Sequence, residues 1–262
     1  VGDKMQLPNV IEENKKKTVE EIFKKTGLAE GYNYIHSFLA SLEHVLPDTP
    51  QTLLREHYRC HPKIINFCNQ QFYNGQLLIM TEDKGEKDVL QAIKTIPGNF
   101  CTNHYNQRQI DVIKEEILTK YSEAEKENLG IIAPYNNQTD AIQNQIPGID
   151  AATVHKYQGR EKDNIIISTV DNEITSFTDN SNMLNVAISR AKKKLSIIIS
   201  GNNQPENSNI MSLLKYIQYN NFSLEESNVC SIFDFFYTKD TAAKFKFLTQ
   251  TKKFQSMIQK ML

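Results

Sequence analysis

Several charged residues of this sequence occur where apolar residues would be expected. The segment TVHKYQGREKDNIIISTV (153–170) places Gly159, Arg160 and Glu161 between two apolar runs that are predicted to be strands. Glycine lets a backbone approach a ligand closely, while arginine and glutamate offer a forked donor and an acceptor side by side. This pattern is typical of a ligand-binding loop, and a solvated loop with an internal Arg–Glu pair is the structural alternative.

Arg190 is the second residue that is out of place. At about 100° per residue, a helix over residues 182–191 would put Arg190 within an apolar arc that includes Met183 and Val186. Burial of a guanidinium without a partner is costly. We therefore expect Arg190 either to form a structural salt bridge or to face a ligand-binding cleft.

The segment EHYRCHP (56–62) raises a similar choice. Tyr58 and Arg59 precede a predicted buried helix, and an aromatic ring beside an arginine can hold a base and a phosphate. A packed tyrosine with a solvated arginine is the structural alternative. We expect no metal site here, because zinc-finger spacing is absent from the candidate ligands, which are His57, Cys60, His61 and Cys68.

The composition excludes several classes of protein. Of the 262 residues, 39% are hydrophobic and 23% are charged, with 30 basic against 31 acidic side chains. A net charge of −1 gives no overall attraction to nucleic acid, so any such contact requires a local patch. The sequence has no apolar run long enough to cross a membrane and no signal-peptide pattern, so we expect a cytoplasmic protein without membrane contact.

The elements that must position these residues alternate along the chain. Short apolar strands are predicted at 90–96, 129–135, 151–154, 164–170 and 195–200. Helices are predicted at 61–75, 105–121, 136–146 and 182–194. This alternation predicts an α/β fold with a mostly parallel sheet that is covered on both faces. Ligands of such sheets bind beyond the carboxyl ends of the strands, so we expect the HKYQGRE loop to lie there.

Five segments resemble motifs of superfamily 1 helicases, in the order of that family. GDKMQLP (2–8) is similar to the GDxxQLP segment that closes the first RecA-like domain. Residues 53–77 resemble the YRMHP segment of the branch that includes the nonsense-mediated-decay RNA helicase, and residues 131–138, 153–168 and 184–199 resemble later motifs of that branch. The resemblance implies a three-layer, P-loop-NTPase-like (RecA-like) α/β domain with a helical C-terminal appendage.

The resemblance also implies a division into domains. Residues 1–50 would be the end of the first RecA-like domain with a helical connection, residues 51–204 the second RecA-like domain, and residues 205–262 a helical extension. The sequence contains neither a GxxxxGK[ST] phosphate-binding loop nor an acidic Walker B strand. We therefore expect ATP and Mg²⁺ to be bound mainly by the N-terminal RecA-like domain of the same protein, and this chain alone to be inactive.

Roles for individual residues follow from the matching positions. Gln6 is at the position that senses the terminal phosphate, and Arg59 and Arg190 are where the family places two arginines that reach the γ-phosphate. Tyr58 is at the position that packs on adenine. The segment that meets the ribose and phosphates contains Gly159, Arg160 and Glu161. The segments that line the nucleic-acid track contain Pro134, Tyr135, Thr153 and His155.

The sequence thus predicts a motor domain from an ATP-dependent helicase that acts on DNA or RNA. It departs from the family at Cys60, where Met is usual, at Ser189, where Thr is usual, and at His155, where an acidic residue is common. The alternative is a nucleic-acid-binding or protein-docking module that keeps the fold without motor activity. The lysine-rich segment 239–262 favours that alternative, because lysines contact phosphates without regard to sequence.

Overall fold

The computed structural model describes residues 2–8, 13–32 and 37–230. Within these ranges the strands are β1 (Glu56–His57), β2 (Leu78–Ile79), β3 (Leu90–Lys94), β4 (Cys101–Thr102), β5 (Tyr105–Asn106), β6 (Leu129–Ala133), β7 (Asp150–Thr153), β8 (Lys162–Ser168), β9 (Ala191–Ile199) and β10 (Ser223–Glu226). The α-helices are α1 (Glu13–Thr26), α2 (Phe38–Val45), α3 (Pro62–Phe72), α4 (Gln107–Val112), α5 (Glu123–Lys126), α6 (Asn136–Gln145), α7 (Ser181–Ile188) and α8 (Asn209–Tyr219).

A six-stranded sheet forms the centre of the fold. Its strand order is β10-β3-β9-β8-β6-β7, and every neighbouring pair in it is parallel. All five predicted strands are members of this sheet. The expected α/β fold is therefore confirmed, and strands such as β6 are buried along their whole length.

Two apolar cores lie on opposite faces of the sheet, as strand alternation requires. In β8, Ile165 and Ile167 pack in one core with α3, α7 and α8, whereas Ile166 packs in the other. The second core also contains buried residues of α4 and α6. The three layers predicted from the sequence are present.

The region predicted as one helix over 105–121 is divided. β4 and β5 form a hairpin, and α4 begins after Asn106, whose side chain accepts a hydrogen bond from the Gln109 amide. The chain continues as a π-helical turn (Ile113–Ile117) and a 3₁₀ turn (Leu118–Lys120). The predicted apolar face remains, because Ile113 and Ile117 are buried against the sheet.

The helix predicted over 182–194 is too long. α7 ends at Ile188 with Ser189 as its C-cap, and β9 begins at Ala191. Residues 191–194 are strand because they extend the parallel pairing with β8, and this tertiary pairing overrides their helical propensity. Arg190 therefore lies in the turn between a helix and a strand, and its predicted place on the helix is wrong.

The loop after β7 does not stay at the carboxyl edge of the sheet. Residues 154–161 cross the face of β6 and enter β8 at the opposite, amino edge, since β6, β7 and β8 are parallel. Tyr157 is buried under this crossover. A Cβ atom added at Gly130 in β6 would overlap the Tyr157 hydroxyl and lie 2.8 Å from its Cζ atom, so glycine makes room for the crossing. The expected placement of Glu161 at the carboxyl edge is wrong.

The segment predicted as a helical extension contributes to the same fold. α8 packs in the core with α3 and α7, and β10 is an edge strand of the main sheet. The lysine-rich segment 239–262 lies outside the described residues. In the described part, no helix combines the length and apolar character that a membrane crossing requires.

Candidate functional site

A groove of about 1490 Å³ opens along the amino edge of the sheet. Its volume exceeds the roughly 300–1,000 Å³ of typical small-molecule pockets, so it is an open cleft rather than an enclosed site. The segment 2–6, the loop before α3 and the turn before β9 all contribute to its lining. The predicted site residues that line it are Gln6, Tyr58, Arg59, Glu161 and Arg190.

Strand register explains why residues so distant in sequence meet here. Lys162 of β8 is paired with Ala191 of β9, so Glu161 and Arg190, which precede them, lie side by side at the amino edge. The His61 amide donates a hydrogen bond to the Lys192 carbonyl oxygen at 2.7 Å. This bond ties the loop that carries Arg59 to the start of β9.

Arg190 is a buried cation held by uncharged acceptors. Its side chain and backbone are together only 4% exposed. Nε donates to the Val186 carbonyl oxygen at 3.1 Å, and the two terminal nitrogens donate to the Arg160 carbonyl oxygen and the Ser189 hydroxyl, each at 3.3 Å. Burial, and then the nearby charge of Arg59, lower the pKa of Arg190. No carboxylate of the described residues forms an ion pair with it. Of the two expectations for Arg190, a structural salt bridge and a place facing a ligand-binding cleft, the second remains.

Glu161 is surrounded by cations. Its carboxylate lies 2.7 Å from Arg59 Nε and 3.9 Å from Lys192 Nζ. The Arg59 and Glu161 side chains are 41% and 43% exposed, so solvent screens their attraction and the pair is weak. The carboxylate therefore occupies the position where an incoming anion would meet both cations.

Tyr58 presents its ring to solvent at the rim of the groove. The residue is 66% exposed, which is unusual for an aromatic side chain. Its hydroxyl donates a hydrogen bond to the Glu56 carboxylate, and this bond raises the pKa of Tyr58. The phenol is therefore tethered at one end while its faces remain available to a flat ligand.

His57 also lines the groove, in a position that its sequence context did not predict. Its Nε2 atom accepts a hydrogen bond from the Cys60 amide at 3.0 Å, which closes the turn that carries Tyr58 and Arg59. Burial, followed by the charge of Arg59, lowers the pKa of His57 to about 4. The neutral ring is the form that can accept this bond.

Gln6 is placed in the groove by its backbone. The Gln6 carbonyl oxygen accepts a hydrogen bond from the Asn182 amide group at 2.5 Å, and the Met5 carbonyl oxygen accepts one from Asn185 at 2.7 Å. The Gln6 side chain donates to Asp3 at 3.1 Å. The two asparagines lie three residues apart on one side of α7, and this spacing is the signal in the sequence that could have indicated their shared role.

The structure does not bring Gly159 and Arg160 to the groove. The Arg160 guanidinium binds both carboxylate oxygens of Asp150, at 2.6 and 2.7 Å, and lies 4.7 Å above the Tyr157 ring. Gly159 is exposed with a φ of 82°, so the turn itself accounts for a glycine at this position. The alternative of an internal Arg160–Glu161 pair is also absent, since Glu161 pairs with Arg59.

The residues predicted for the nucleic-acid track lie at the other edge of the sheet. Pro134 and Tyr135 follow the carboxyl end of β6, while Thr153 ends β7 and His155 comes two residues later. Thr153 is buried and His155 is exposed. The register that pairs Ala133 with Thr153 makes these two segments neighbours.

A group of described residues has the chemistry of metal ligands: His61, Asp83 and Glu86, whose ligand atoms lie within 4.8 Å of one another. The Lys63 amide donates to His61 Nδ1 at 3.2 Å, so a neutral ring carries its proton on Nε2, which faces Glu86 at 3.2 Å. A metal on Nε2 would displace that proton and break the N-terminal cap of α3. The arrangement fits a helix cap with ion pairs better than a metal site.

Comparison with known proteins agrees with this geometry. A family model described as an AAA domain matches residues 81–204. An uncharacterized ATP-dependent helicase of Caenorhabditis elegans is 26% identical over 76% of this chain and 14% of its own length. A regulator of nonsense transcripts 1 homolog from Neurospora crassa is 30% identical over 55% of this chain and 16% of its own length.

In two further matches, nearly the whole of one of the two chains is aligned. An uncharacterized ATP-dependent helicase of Mycoplasma genitalium is 26% identical over 98% of this chain and 26% of its own length. The solved C-terminal domain of a possible DNA helicase from Lactobacillus plantarum superposes with a TM-score of 0.43 at 17% identity, over 64% of this chain and 98% of that one. This score is too low to support any argument.

The chain spans from 9% to 31% of the length of the curated relatives compared. Several of these relatives are named as ATP-dependent helicases, one as a DNA helicase and one as a probable helicase. Together with the parallel sheet and the family model, the matches show what the chain is similar to: the C-terminal RecA-like domain of superfamily 1 helicases.

Proposed function

We propose that this domain is the second motor domain of an ATP-dependent helicase that acts on DNA or RNA. In this proposal the groove at the amino edge closes over a nucleotide whose phosphates and Mg²⁺ are held by the first RecA-like domain. Arg59 and Arg190 then reach the γ-phosphate, Tyr58 packs on the adenine, and Gln6 senses the terminal phosphate. Glu161 meets the ribose and phosphates.

The observation that carries the proposal is the state of Arg190. A protein keeps a buried guanidinium without a carboxylate partner only if another benefit offsets its desolvation. Here the neutral acceptors fix the orientation of the guanidinium without neutralising its charge. A preorganised cation at the edge of an open cleft is suited to stabilise the charge of a transferring phosphoryl group.

The chemistry of phosphoryl transfer suits such a division between two domains. Hydrolysis of ATP requires little covalent chemistry from the protein, so positioning and charge stabilisation dominate. An arginine supplied from a separate domain or protein accelerates the reaction by roughly 10³–10⁵-fold. Turnover would then report closure of the two domains, and closure can move a strand of nucleic acid.

Turnover and binding together test this function against a module without motor activity. The two-domain parent protein should hydrolyse ATP faster when single-stranded DNA or RNA is added, whereas this chain alone should show no turnover. A parent protein that binds nucleic acid with no detectable ATP hydrolysis would favour the binding module. A variant of the parent protein in which the lysine of the proposed first domain's GxxxxGK[ST] loop is replaced by alanine is the control for contaminating activity.

A further inference from the structure

One tyrosine hydroxyl joins three segments that line the groove. The Tyr73 hydroxyl donates a hydrogen bond to the Asp3 carboxylate at 2.7 Å and accepts one from the Asn185 amide group at 2.9 Å. Tyr73 is the C-cap of α3, Asp3 belongs to the segment 2–6, and Asn185 lies within α7. All three residues line the groove, and we call this set of contacts the hydroxyl junction.

Each segment of the hydroxyl junction carries a residue of the proposed nucleotide site. Gln6 lies three positions after Asp3 in the segment 2–6. Arg59 lies three positions before the start of α3, and Arg190 lies two positions after the end of α7. The junction therefore connects the elements that place these three side chains.

The Asp3 carboxylate extends the junction to Gln6. The carboxylate oxygen that accepts from Tyr73 also accepts from the Gln6 side chain at 3.1 Å, and the other oxygen accepts from the Met5 amide at 2.8 Å. Burial, and then the hydrogen bond to Asp3, raise the pKa of Tyr73. The phenol therefore keeps its proton at neutral pH and acts as the donor. Displacement of Tyr73 would disturb the side chain that senses the terminal phosphate in the proposed function.

Asn185 is held in an arrangement that stability alone does not favour. The residue is 1% exposed, and its Nδ2 atom donates to the Met5 carbonyl oxygen at 2.7 Å as well as to Tyr73. Because the Met5 carbonyl must receive a proton, the amide cannot be turned over. Oδ1 then has no hydrogen-bond partner among the described residues, and a buried unpaired acceptor destabilises a fold. An apolar side chain would avoid that cost, so the benefit of Asn185 lies in the contacts of its nitrogen.

We infer that Tyr73 and Asn185 are positioning residues for ATP hydrolysis, which hold the segment 2–6 against α7 so that Gln6 and Arg190 meet the nucleotide in one fixed geometry. The inference rests on the proposed function, in which neither Tyr73 nor Asn185 contacts ATP. Loss of the hydroxyl junction should therefore lower kcat without changing KM. Misplacement of groups that act on the transition state slows the reaction even when ATP binds normally.

Removal of the Tyr73 hydroxyl tests the junction in the protein that contains both motor domains. Tyr73→Phe keeps the ring and loses both hydrogen bonds of the hydroxyl. It should lower kcat about tenfold at saturating ATP and nucleic acid, and leave the KM for ATP within about twofold. Tyr216→Phe is the matched control, because the hydroxyl of this half-buried tyrosine also bonds to α3, at the Lys63 carbonyl oxygen, rather than to the segment 2–6. It should change neither constant.

Asn185→Leu separates positioning from stability. The variant should lower kcat about tenfold, while the urea midpoint of the 262-residue chain stays unchanged or rises because the unpaired oxygen is removed. A residue that is only structural would give a lower midpoint and an unchanged kcat. Tyr73→Phe added to Asn185→Leu should lower kcat by no more than about a further twofold, because both substitutions break the same junction.

Hydrogen exchange of the two-domain protein detects the junction without ATP. Tyr73→Phe and Asn185→Leu should each speed amide exchange in the segment 2–6 about 5- to 10-fold, and Tyr216→Phe should not. Unchanged exchange would show that the junction does not hold the segment. An active wild type with equal kcat in Tyr73→Phe would overturn the positioning role alone. A wild type that hydrolyses no ATP would overturn the proposed function, and the positioning role with it.

Discussion

Replacing Arg190 by methionine distinguishes a residue kept for catalysis from one kept for stability. Methionine is unbranched and adaptable, so it can fill the space of the arginine stem without a charged head. A buried salt bridge that loses one partner typically costs about 3–5 kcal/mol. Arg190 has no carboxylate partner in the described structure, so this penalty should be absent.

The net effect of Arg190→Met can be worked out from its contacts. Three hydrogen bonds of 3.1–3.3 Å are lost, but the Val186 carbonyl oxygen keeps a bond from the Ser189 hydroxyl, and the Arg160 carbonyl belongs to an exposed residue. We estimate this loss at about 1–2 kcal/mol. Removing the desolvation of the charge returns several kcal/mol. The free energy of unfolding should therefore stay unchanged or rise by about 0–2 kcal/mol.

Urea unfolding followed by circular dichroism measures this free energy, since the chain has no tryptophan for fluorescence. Arg160→Met is the matched control, because its guanidinium pairs with Asp150 and is 47% exposed. Solvent screening limits the expected cost of the control to about 1 kcal/mol or less. A loss of more than about 3 kcal/mol in Arg190→Met, the size of a broken buried ion pair, would show that Arg190 is structural.

Three further predictions follow from the groove and the crossover. Glu161→Gln should raise the affinity of the chain for tripolyphosphate about 2- to 5-fold in a calorimetric titration. The gain is small because the half-exposed pair that the anion replaces, Glu161 with Arg59, is worth under about 1 kcal/mol. Unchanged affinity would mean that the Glu161 carboxylate does not compete with anions. Gly130→Ala should lower the free energy of unfolding by about 1–3 kcal/mol, because the added methyl group collides with the Tyr157 ring. Adding Tyr157→Leu to that variant should recover part of the loss. If the effects of the two substitutions simply add, the collision is not the cause. The pKa of His57 is about 4 in the fold against its ordinary 6.5, so the unfolded chain takes up the proton first as the pH falls. The free energy of unfolding should therefore fall by about 1–2 kcal/mol between pH 6.5 and 4, after allowance for solvent screening. His57→Gln should lack this dependence on pH, and an equal dependence in the variant and the wild type would refute the prediction.

Periodicity alone was enough to predict five of the six strands of the main sheet, whereas β10, a short and mostly exposed edge strand, was not predicted. Strands such as β6 and β8 have continuous apolar runs, and their burial on both faces leaves no other place for them. The burial of Arg190 also followed from its apolar neighbours. The end of α7 did not, because residues 191–194 are strand only through their pairing with β8, which is a long-range contact.

The path of the 154–161 crossover was not predictable from local pattern. Its direction depends on β7 and β8 being separated by β6, and on Gly130 accommodating Tyr157 beneath the chain. The pairing of Arg160 with Asp150 depends on the same crossing. Residues 103 and 104 likewise resemble any polar loop until the hairpin sets His104 beside Tyr135.

The rate of ATP hydrolysis at saturating ATP and nucleic acid tests the role of Arg190 most directly. The protein should contain both motor domains, with Arg190→Ala compared with wild type and with Lys193→Ala, whose side chain is 71% exposed and pairs with Asp163. We predict that Arg190→Ala lowers kcat by roughly 10³-fold or more while Lys193→Ala leaves it unchanged. Equal kcat for Arg190→Ala and wild type would contradict the account.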